Sequence, residues 1–129
     1  MNDKYIIASK GCENIVEDGR TIGYEFQLRI PYYQGVPLSQ VKHIKVRMDG
    51  KAVPQEDIRV FATSGEEFKL SEISTVSLFY WEYMTPLRVR VCQEGGLGKG
   101  THSLDVDAAI DVIYAPDGFK AEASQEFEI

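Results

Sequence analysis

Hydrophobic and polar residues alternate along the C-terminal third of the chain. Three aspartates, Asp105, Asp107 and Asp111, share one set of alternate positions. The other set is apolar apart from its first member: His102, Leu104, Val106, Ala108, Ile110, Val112 and Tyr114. Because successive side chains of a strand point to opposite faces, this pattern predicts a long strand with one face on a core and the other in water.

The same period of two recurs earlier in the chain. Residues 21–30 alternate in this way, and Pro31, which lacks a backbone donor, predicts that the strand ends or reaches an edge of the sheet there. Asp49-Gly50 is the clearest hairpin signal, because the Asp-Gly pair suits the positive φ angles of a type I′ turn. Asp18-Gly19 is another hairpin-type turn signal, and proline with a third Asp-Gly pair at residues 115–118 predicts the turn that closes the long strand.

Strand signals are separated by turn signals about every ten residues, and no segment is long enough to form an amphipathic helix. The chain of 129 residues has 43% hydrophobic and 26% charged residues, as a globular domain does. We therefore predict an all-β protein. Its expected form is an antiparallel β-sandwich of about eight to nine strands in a single domain over residues 1–129, with a partly closed barrel as the alternative.

Charge and hydropathy exclude several classes of partner. The formal net charge of −6 would repel a phosphate backbone, so we expect no nucleic acid partner. No apolar run approaches the roughly 20 residues that a membrane helix needs, and the first residues lack the apolar region of a secretory signal. We therefore expect a cytoplasmic protein without membrane contact. Cys12 and Cys92 form no metal or redox motif; reduced thiols are expected, with a disulfide as the alternative.

A glycine-rich turn at residues 95–101 precedes the long strand. Its Gly98-Lys99-Gly100-Thr101 resembles part of a phosphate-binding loop. Such a loop needs a glycine where this chain has Gln93, and a helix must follow it to hold the anion. Because a strand is predicted to follow, we interpret the segment as a structural turn.

Reactive side chains are few. His43 lies beside Lys42 and Lys45, which would repel a cation, and two histidines are too few for a metal site. His102 is expected to be hydrogen-bonded at the end of the sheet, with contact to a partner's active site as the alternative. The aspartates of the long strand predict a solvated face rather than a calcium site. Neither cysteine has a base partner, so no catalytic residue and no metal ligand is predicted in this chain.

Aromatic residues form two groups that could serve several purposes. Tyr32 and Tyr33 share one loop, and the second group is Phe79, Tyr80, Trp81 and Tyr83. Alternation would bury about half of the second group. The others could anchor a protein interface or stack on sugar rings, and the residues alone leave core, interface and sugar binding open.

Several segments, taken in order, resemble one bacterial family. They are Ile44-Lys45-Val46-Arg47-Met48-Asp49-Gly50 with Val53-Pro54, the segment around Trp81, and Gly95-Gly96-Leu97-Gly98-Lys99-Gly100-Thr101-His102 leading into a strand that ends Ile113-Tyr114-Ala115-Pro116. Together they resemble the small, beta subunit of C-glycoside deglycosidases.

The resemblance implies a β-sandwich paired with a larger, barrel-shaped alpha subunit similar to sugar isomerases. That subunit would hold a divalent metal, expected to be manganese, and the catalytic base. The complex would act as a carbon–carbon lyase on a 3-oxo-C-glycoside, separating the oxidised sugar from an aromatic, flavonoid-type aglycone.

On this hypothesis the chain is a non-catalytic partner of the alpha subunit. The residues predicted at the partner interface are Tyr32, Tyr33, Trp81, Tyr83, Leu97 and His102. The alternative is a free-standing carbohydrate-binding or structural β-sandwich module. A self-sufficient small hydrolase is disfavoured because no catalytic constellation is present.

Overall fold

The computed structural model describes residues 6–32, 34–112 and 115–129. Eleven strands run through these ranges: β1 Glu13–Glu17, β2 Arg20–Leu28, β3 Val36–Pro37, β4 Val41–Met48, β5 Lys51–Ala52, β6 Ile58–Phe61, β7 Glu67–Lys69, β8 Tyr80–Trp81, β9 Leu87–Cys92, β10 Thr101–Val112 and β11 Ala115–Glu128. Short 3-10 helices occupy Leu38–Gln40, Gln55–Asp57 and Leu70–Thr75. None of the helices in the described ranges is long and apolar enough to cross a membrane. Tyr33 and Tyr114 lie outside the described residues.

The strands form two main sheets. One has five strands in the order β1-β2-β9-β6-β7, and the other has four in the order β11-β10-β4-β5. A small third sheet joins β3 to β8, and every described pair is antiparallel. The sheets are open rather than closed on themselves, so the all-β antiparallel prediction is confirmed. The count exceeds the predicted eight to nine because β3, β5 and β8 have only two residues each.

Apolar side chains from both main sheets meet in one core. Tyr24 and Phe26 of β2 belong to the same buried cluster as Ile44 of β4 and Leu104 of β10. The alternation predicted for β10 is present, since its even-numbered apolar residues from 104 to 110 are buried while Asp105 is only half-buried. Each large apolar side chain removed from water in this way contributes roughly 1.5–3 kcal/mol. Burial of this alternating set fixes the register of the long strand.

The Asp-Gly hairpins adopt the expected backbone. Asp49 and Gly50 join β4 to β5 with φ angles of 54° and 79°. Asp18 and Gly19 join β1 to β2 in the same way, with φ angles of 51° and 78°. Two successive positive φ angles are the signature of the type I′ turn, whose twist matches that of the flanking strands. The hairpin prediction is confirmed at Asp49-Gly50.

The turn predicted at residues 115–118 is wrong. Val112 pairs with Ala115, so β11 already begins at Ala115 and includes the proline and the Asp-Gly pair. β11 is the edge strand of its sheet, next to β10 alone. The register between β10 and β11 shifts between Ile110 and Val112, and an edge strand tolerates a proline at such an irregularity without ending there.

Candidate functional site

The glycine-rich turn links β9 to β10 and has a fixed shape. The Gly95 N–H donates to the Thr21 carbonyl oxygen at 3.0 Å, and the Gly96 N–H donates to the Gln93 carbonyl oxygen at 2.9 Å. Gly96 has a φ of +60°, and a Cβ atom there would lie 2.4 Å from Asn14 Oδ1. Only glycine combines this backbone angle with so close an approach. β10 follows at Thr101, so the turn leads into a strand, as the sequence predicts.

Asn14 of β1 holds the middle of the turn with two hydrogen bonds. Its Nδ2 donates to the Leu97 carbonyl oxygen at 2.9 Å, and its Oδ1 accepts from the Leu97 N–H at 2.8 Å. The Leu97 side chain belongs to the buried core cluster. Leu97 is therefore a core residue that fixes the turn, and its side chain offers little surface to a partner. Gly98, Lys99 and Gly100 form the exposed tip.

His102 bonds through both ring nitrogens. Nδ1 lies 2.7 Å from Asp49 Oδ2, and Nε2 lies 2.6 Å from the Gly98 carbonyl oxygen. Both neighbours are acceptors, and only the doubly protonated ring can donate to two acceptors at once. The bond to the Asp49 carboxylate, followed by the bond to Gly98, raises the pKa of His102 above its usual value. His102 is thus hydrogen-bonded at the end of the sheet, as predicted; its contact with a partner stays a prediction.

Trp81 anchors the aromatic segment from inside. Its side chain is fully buried, and its Nε1 donates to the Leu28 carbonyl oxygen at 3.1 Å. Val36 pairs with Trp81 in the small sheet. The Phe79 ring packs on Phe68 with their centroids 5.3 Å apart. Trp81 is therefore a core residue, and its side chain has no surface to offer a partner.

The outward side of the same segment is apolar. Leu78 is 87% exposed, Met84 82%, Tyr83 52% and Tyr80 43%. We call these four residues the apolar strip. Tyr83 is among the residues predicted from the sequence, whereas Leu78 and Met84 are not. Leu78 alternates with the half-buried Phe79 and the buried Trp81, but this alternation alone does not say which set faces outward.

The structure divides the predicted interface residues among three places. Leu97 and His102 meet at the glycine-rich turn, and Trp81 and Tyr83 share the aromatic segment. Tyr32 is half-buried, with its ring centroid 4.9 Å from that of Phe119. Tyr33 lies outside the described residues. Of the described set, Tyr83 is the one with more than half of its surface exposed.

The outward face of the four-stranded sheet carries the aspartates. A groove of about 830 Å³ is lined there by charged and uncharged residues of β4, β10 and β11 and by residues 52–55. Asp105 is opposite Arg47, and Asp107 is opposite Lys45. His43 Nε2 also lies 2.8 Å from Asp107 Oδ1. Each of these carboxylates has a basic neighbour, which fits the predicted solvated face.

A metal site would need several ligands converging on one point. Within residues 6–32, 34–112 and 115–129, no group of three or more His, Cys, Asp or Glu side chains is placed to hold an ion. The resemblance implies manganese in the alpha subunit rather than in this chain, and we assign no metal ligand to the described residues.

The cysteines are free thiols. Cys12 is buried and Cys92 is half-buried. Burial raises the pKa of the Cys12 thiol to about 12, which keeps it protonated and a poor nucleophile at neutral pH. Neither cysteine forms a disulfide in this structure.

Comparison with known proteins identifies the family. Residues 2–114 match the family model described as the C-glycoside deglycosidase beta subunit. A C-glycoside deglycosidase beta subunit of Eubacterium cellulosolvens (strain ATCC 43171 / JCM 9499 / 6) is 30% identical over 115 residues, which cover 88% of this chain and 78% of the relative. A 3'-dehydrocarminate deglycosidase beta subunit of Microbacterium sp is 27% identical over 94 residues, which cover 73% of this chain and 70% of the relative. The chain belongs to the C-glycoside deglycosidase beta subunit family.

Proposed function

We propose that this chain is the small subunit of a heteromeric C-glycoside deglycosidase, a carbon–carbon lyase whose catalytic groups lie on a larger alpha subunit. The observation that carries this proposal is the family match over residues 2–114. The names of the relatives support it, because both are called beta subunits of deglycosidases. A beta subunit implies a second, different subunit.

The proposed reaction is a β-elimination on a sugar that carries a ketone at position 3. The ketone acidifies the proton on C2, and a base removes that proton to form an enolate. The electron pair then forms a C1–C2 double bond while the bond from C1 to the aryl carbon breaks. The aryl carbon takes up a proton, and the products are an unsaturated anhydro-keto sugar and a free phenolic aglycone. The name of the Microbacterium relative specifies a 3'-dehydro compound, which supports an oxidised sugar as the substrate here.

This chain would contribute shape and stability rather than reacting groups. Its glycine-rich turn is held by Asn14, Gln93 and His102, so a partner would meet a preformed surface. The divalent metal, expected to be manganese, belongs in this proposal to the larger, barrel-shaped subunit. The two free thiols fit a reducing compartment, so we place the complex in the cytoplasm.

The test separates the two subunits. The chain would be purified alone, the alpha subunit, to be sought among the products of adjacent genes, would be purified alone, and the two would be co-expressed. Release of aglycone from a 3-oxo-C-glycoside is expected only when both proteins are present, and bound metal should follow the larger one. Turnover or stoichiometric transition metal in the chain alone would refute the proposal. Tight glycan binding by the lone chain, measured by calorimetry, would favour a free-standing carbohydrate-binding module instead.

A further inference from the structure

Exposed apolar surface is concentrated in one short segment. Six large hydrophobic residues are exposed among the described residues, and four of them fall between positions 78 and 84. The other two, Val16 and Phe119, are far from this segment in the sequence. Single exposed apolar residues are ordinary in soluble proteins, but a cluster of them marks an interaction surface.

The backbone beneath this cluster is fixed. The Leu38 N–H donates to the Phe79 carbonyl oxygen at 2.8 Å, and the Ser39 N–H donates to the Val76 carbonyl oxygen at 2.8 Å. Trp81 pairs with Val36 on the strand side. A surface that is already ordered loses little conformational entropy when a partner binds, so more of the contact energy appears as affinity.

The residue types suit a protein partner. Tyrosine and methionine are enriched at the centres of protein interfaces, where they combine large apolar area with adaptable shape. Glu82 is exposed within the strip and adds one negative charge. A complementary surface would therefore be apolar, with a basic side chain placed opposite Glu82.

We propose that the apolar strip, Leu78, Tyr80, Tyr83 and Met84, is the surface on which the larger subunit docks. This inference rests on the proposed function, which supplies a second, different subunit. A second copy of this chain is a poorer occupant because each copy carries a net charge of −6 and would bring another Glu82 to the interface. Trp81 acts as a positioning residue that holds the strip outward.

The test measures binding of the larger subunit to strip variants. Leu78→Asp and Met84→Asp change side chains that are more than four-fifths exposed, so both proteins should fold normally. We expect each variant to bind about thirtyfold more weakly, or worse, as is usual for a hot-spot residue. Aglycone release should fall at limiting concentrations of the larger subunit and recover when that subunit is in large excess.

Val16→Asp is the matched control, because Val16 is 61% exposed on β1 and belongs to a different sheet. It should bind as the wild-type chain does. Wild-type affinity in both strip variants would overturn the docking surface while leaving the subunit role intact. Failure of the wild-type chain to bind would instead refute the proposed function. A wild-type homodimer that Leu78→Asp converts to a monomer, seen by sedimentation equilibrium, would overturn the larger subunit as the occupant.

Discussion

The imidazole of His102 and the carboxylate of Asp49 lie 2.7 Å apart, although they are separated by 53 residues in the sequence. The second carboxylate oxygen of Asp49 accepts from the Ser103 N–H at 2.9 Å. The Asp49 N–H in turn donates to the Ser103 carbonyl oxygen at 2.8 Å. Because His102 also bonds to Gly98, this pair ties the β4–β5 hairpin turn to the tip of the glycine-rich turn.

This pair predicts that stability depends on pH. The bond to Asp49 raises the pKa of His102 above 6.5. The stabilisation that the charged His102 ring contributes is therefore complete below pH 6.5 and is lost as pH rises through the folded-state pKa. The bonds from His102 and Ser103 lower the pKa of Asp49 below 3.8, so its contribution is present above 3.8 and is lost as pH falls through its folded-state pKa. The substitution His102→Gln should therefore lower the free energy of unfolding most between pH 3.8 and 6.5 and least at alkaline pH.

The measurement is the urea midpoint of the wild-type chain and of the His102→Gln variant from pH 5 to pH 9. His43→Gln is the control, because His43 also bonds to an aspartate but lies on the outward face of the sheet and touches neither turn. A difference between wild-type and His102→Gln midpoints that stays constant from pH 5 to pH 9 would show that the charged ring is not what holds the turns.

Local signals explain why much of the fold was predictable. The Asp49-Gly50 turn and the alternation of β10 both depend on residues that are close together in the sequence, so the sequence alone predicts them. The prediction of a turn at residues 115–118 is wrong because an edge strand can contain a proline. Which strand lies at an edge is decided by the whole sheet and not by the local sequence. Leu97 is held through its backbone by Asn14, which is 83 residues away in the sequence. No local pattern could reveal that contact.

The burial of Trp81 likewise cannot be predicted from the local sequence. The sequence shows that Trp81 lies in an aromatic run, but its partner, the Leu28 carbonyl oxygen, belongs to a strand 53 residues earlier. Alternation alone separates Phe79 and Trp81 from Leu78 and Tyr80 and does not say which set faces inward. The tertiary fold makes that choice, and it places Leu78 rather than Trp81 on the surface.

Substitution by alanine should change the stability of the fold by different amounts at two glycines of the same turn. Gly96→Ala would place a methyl group 2.4 Å from Asn14 Oδ1 at a φ of +60°. The positive φ alone costs about 1–2 kcal/mol, and the clash with Asn14 adds to it. We expect the free energy of unfolding to fall by at least about 2 kcal/mol, measured by urea denaturation.

Gly98→Ala is the control for this prediction. A methyl group at Gly98 would lie more than 4 Å from every residue other than its chain neighbours, and the φ of Gly98 is not in the left-handed region. Its stability should stay within about 0.5 kcal/mol of the wild-type value. Equal losses in the two variants would show that the turn is less sharply constrained than its hydrogen bonds indicate.

Glu25 should contribute more to the stability of the fold than an ordinary surface carboxylate does. It forms ion pairs with Arg88 and Arg90, and both guanidinium groups lie over the Phe61 ring. The side chains of Glu25 and Arg90 are only 15% and 13% exposed. Glu25→Gln would leave the largely buried Arg90 with the longer 3.8 Å ion pair to Glu17, whose side chain is mostly exposed, so we expect a loss of about 1–3 kcal/mol in unfolding free energy.

Arg20→Gln gives the comparison, because Arg20 pairs with Glu94 where both side chains are largely exposed. Solvent screening makes such a pair worth little, and we expect a change below about 0.5 kcal/mol. Raising the salt concentration should shrink any effect of Arg20→Gln more than that of Glu25→Gln. Equal losses would indicate that the Phe61 face is as hydrated as the open surface.

The Tyr24 hydroxyl gives the last prediction, because it is buried and has no hydrogen-bond partner among the described residues. Burial also raises the pKa of this hydroxyl, so it stays neutral. A buried polar group without a partner costs free energy, and removing it removes that cost. Tyr24→Phe should therefore leave the free energy of unfolding unchanged or raise it by up to about 1 kcal/mol.

Phe26→Ala calibrates the assay, because Phe26 shares the same strand and core and its truncation should cost about 3–5 kcal/mol. Both variants would be followed by urea denaturation at neutral pH. A loss above about 1 kcal/mol in Tyr24→Phe would show that the hydroxyl bonds to a buried water in the folded protein. The sign of this single change therefore distinguishes a dry core at Tyr24 from a hydrated one.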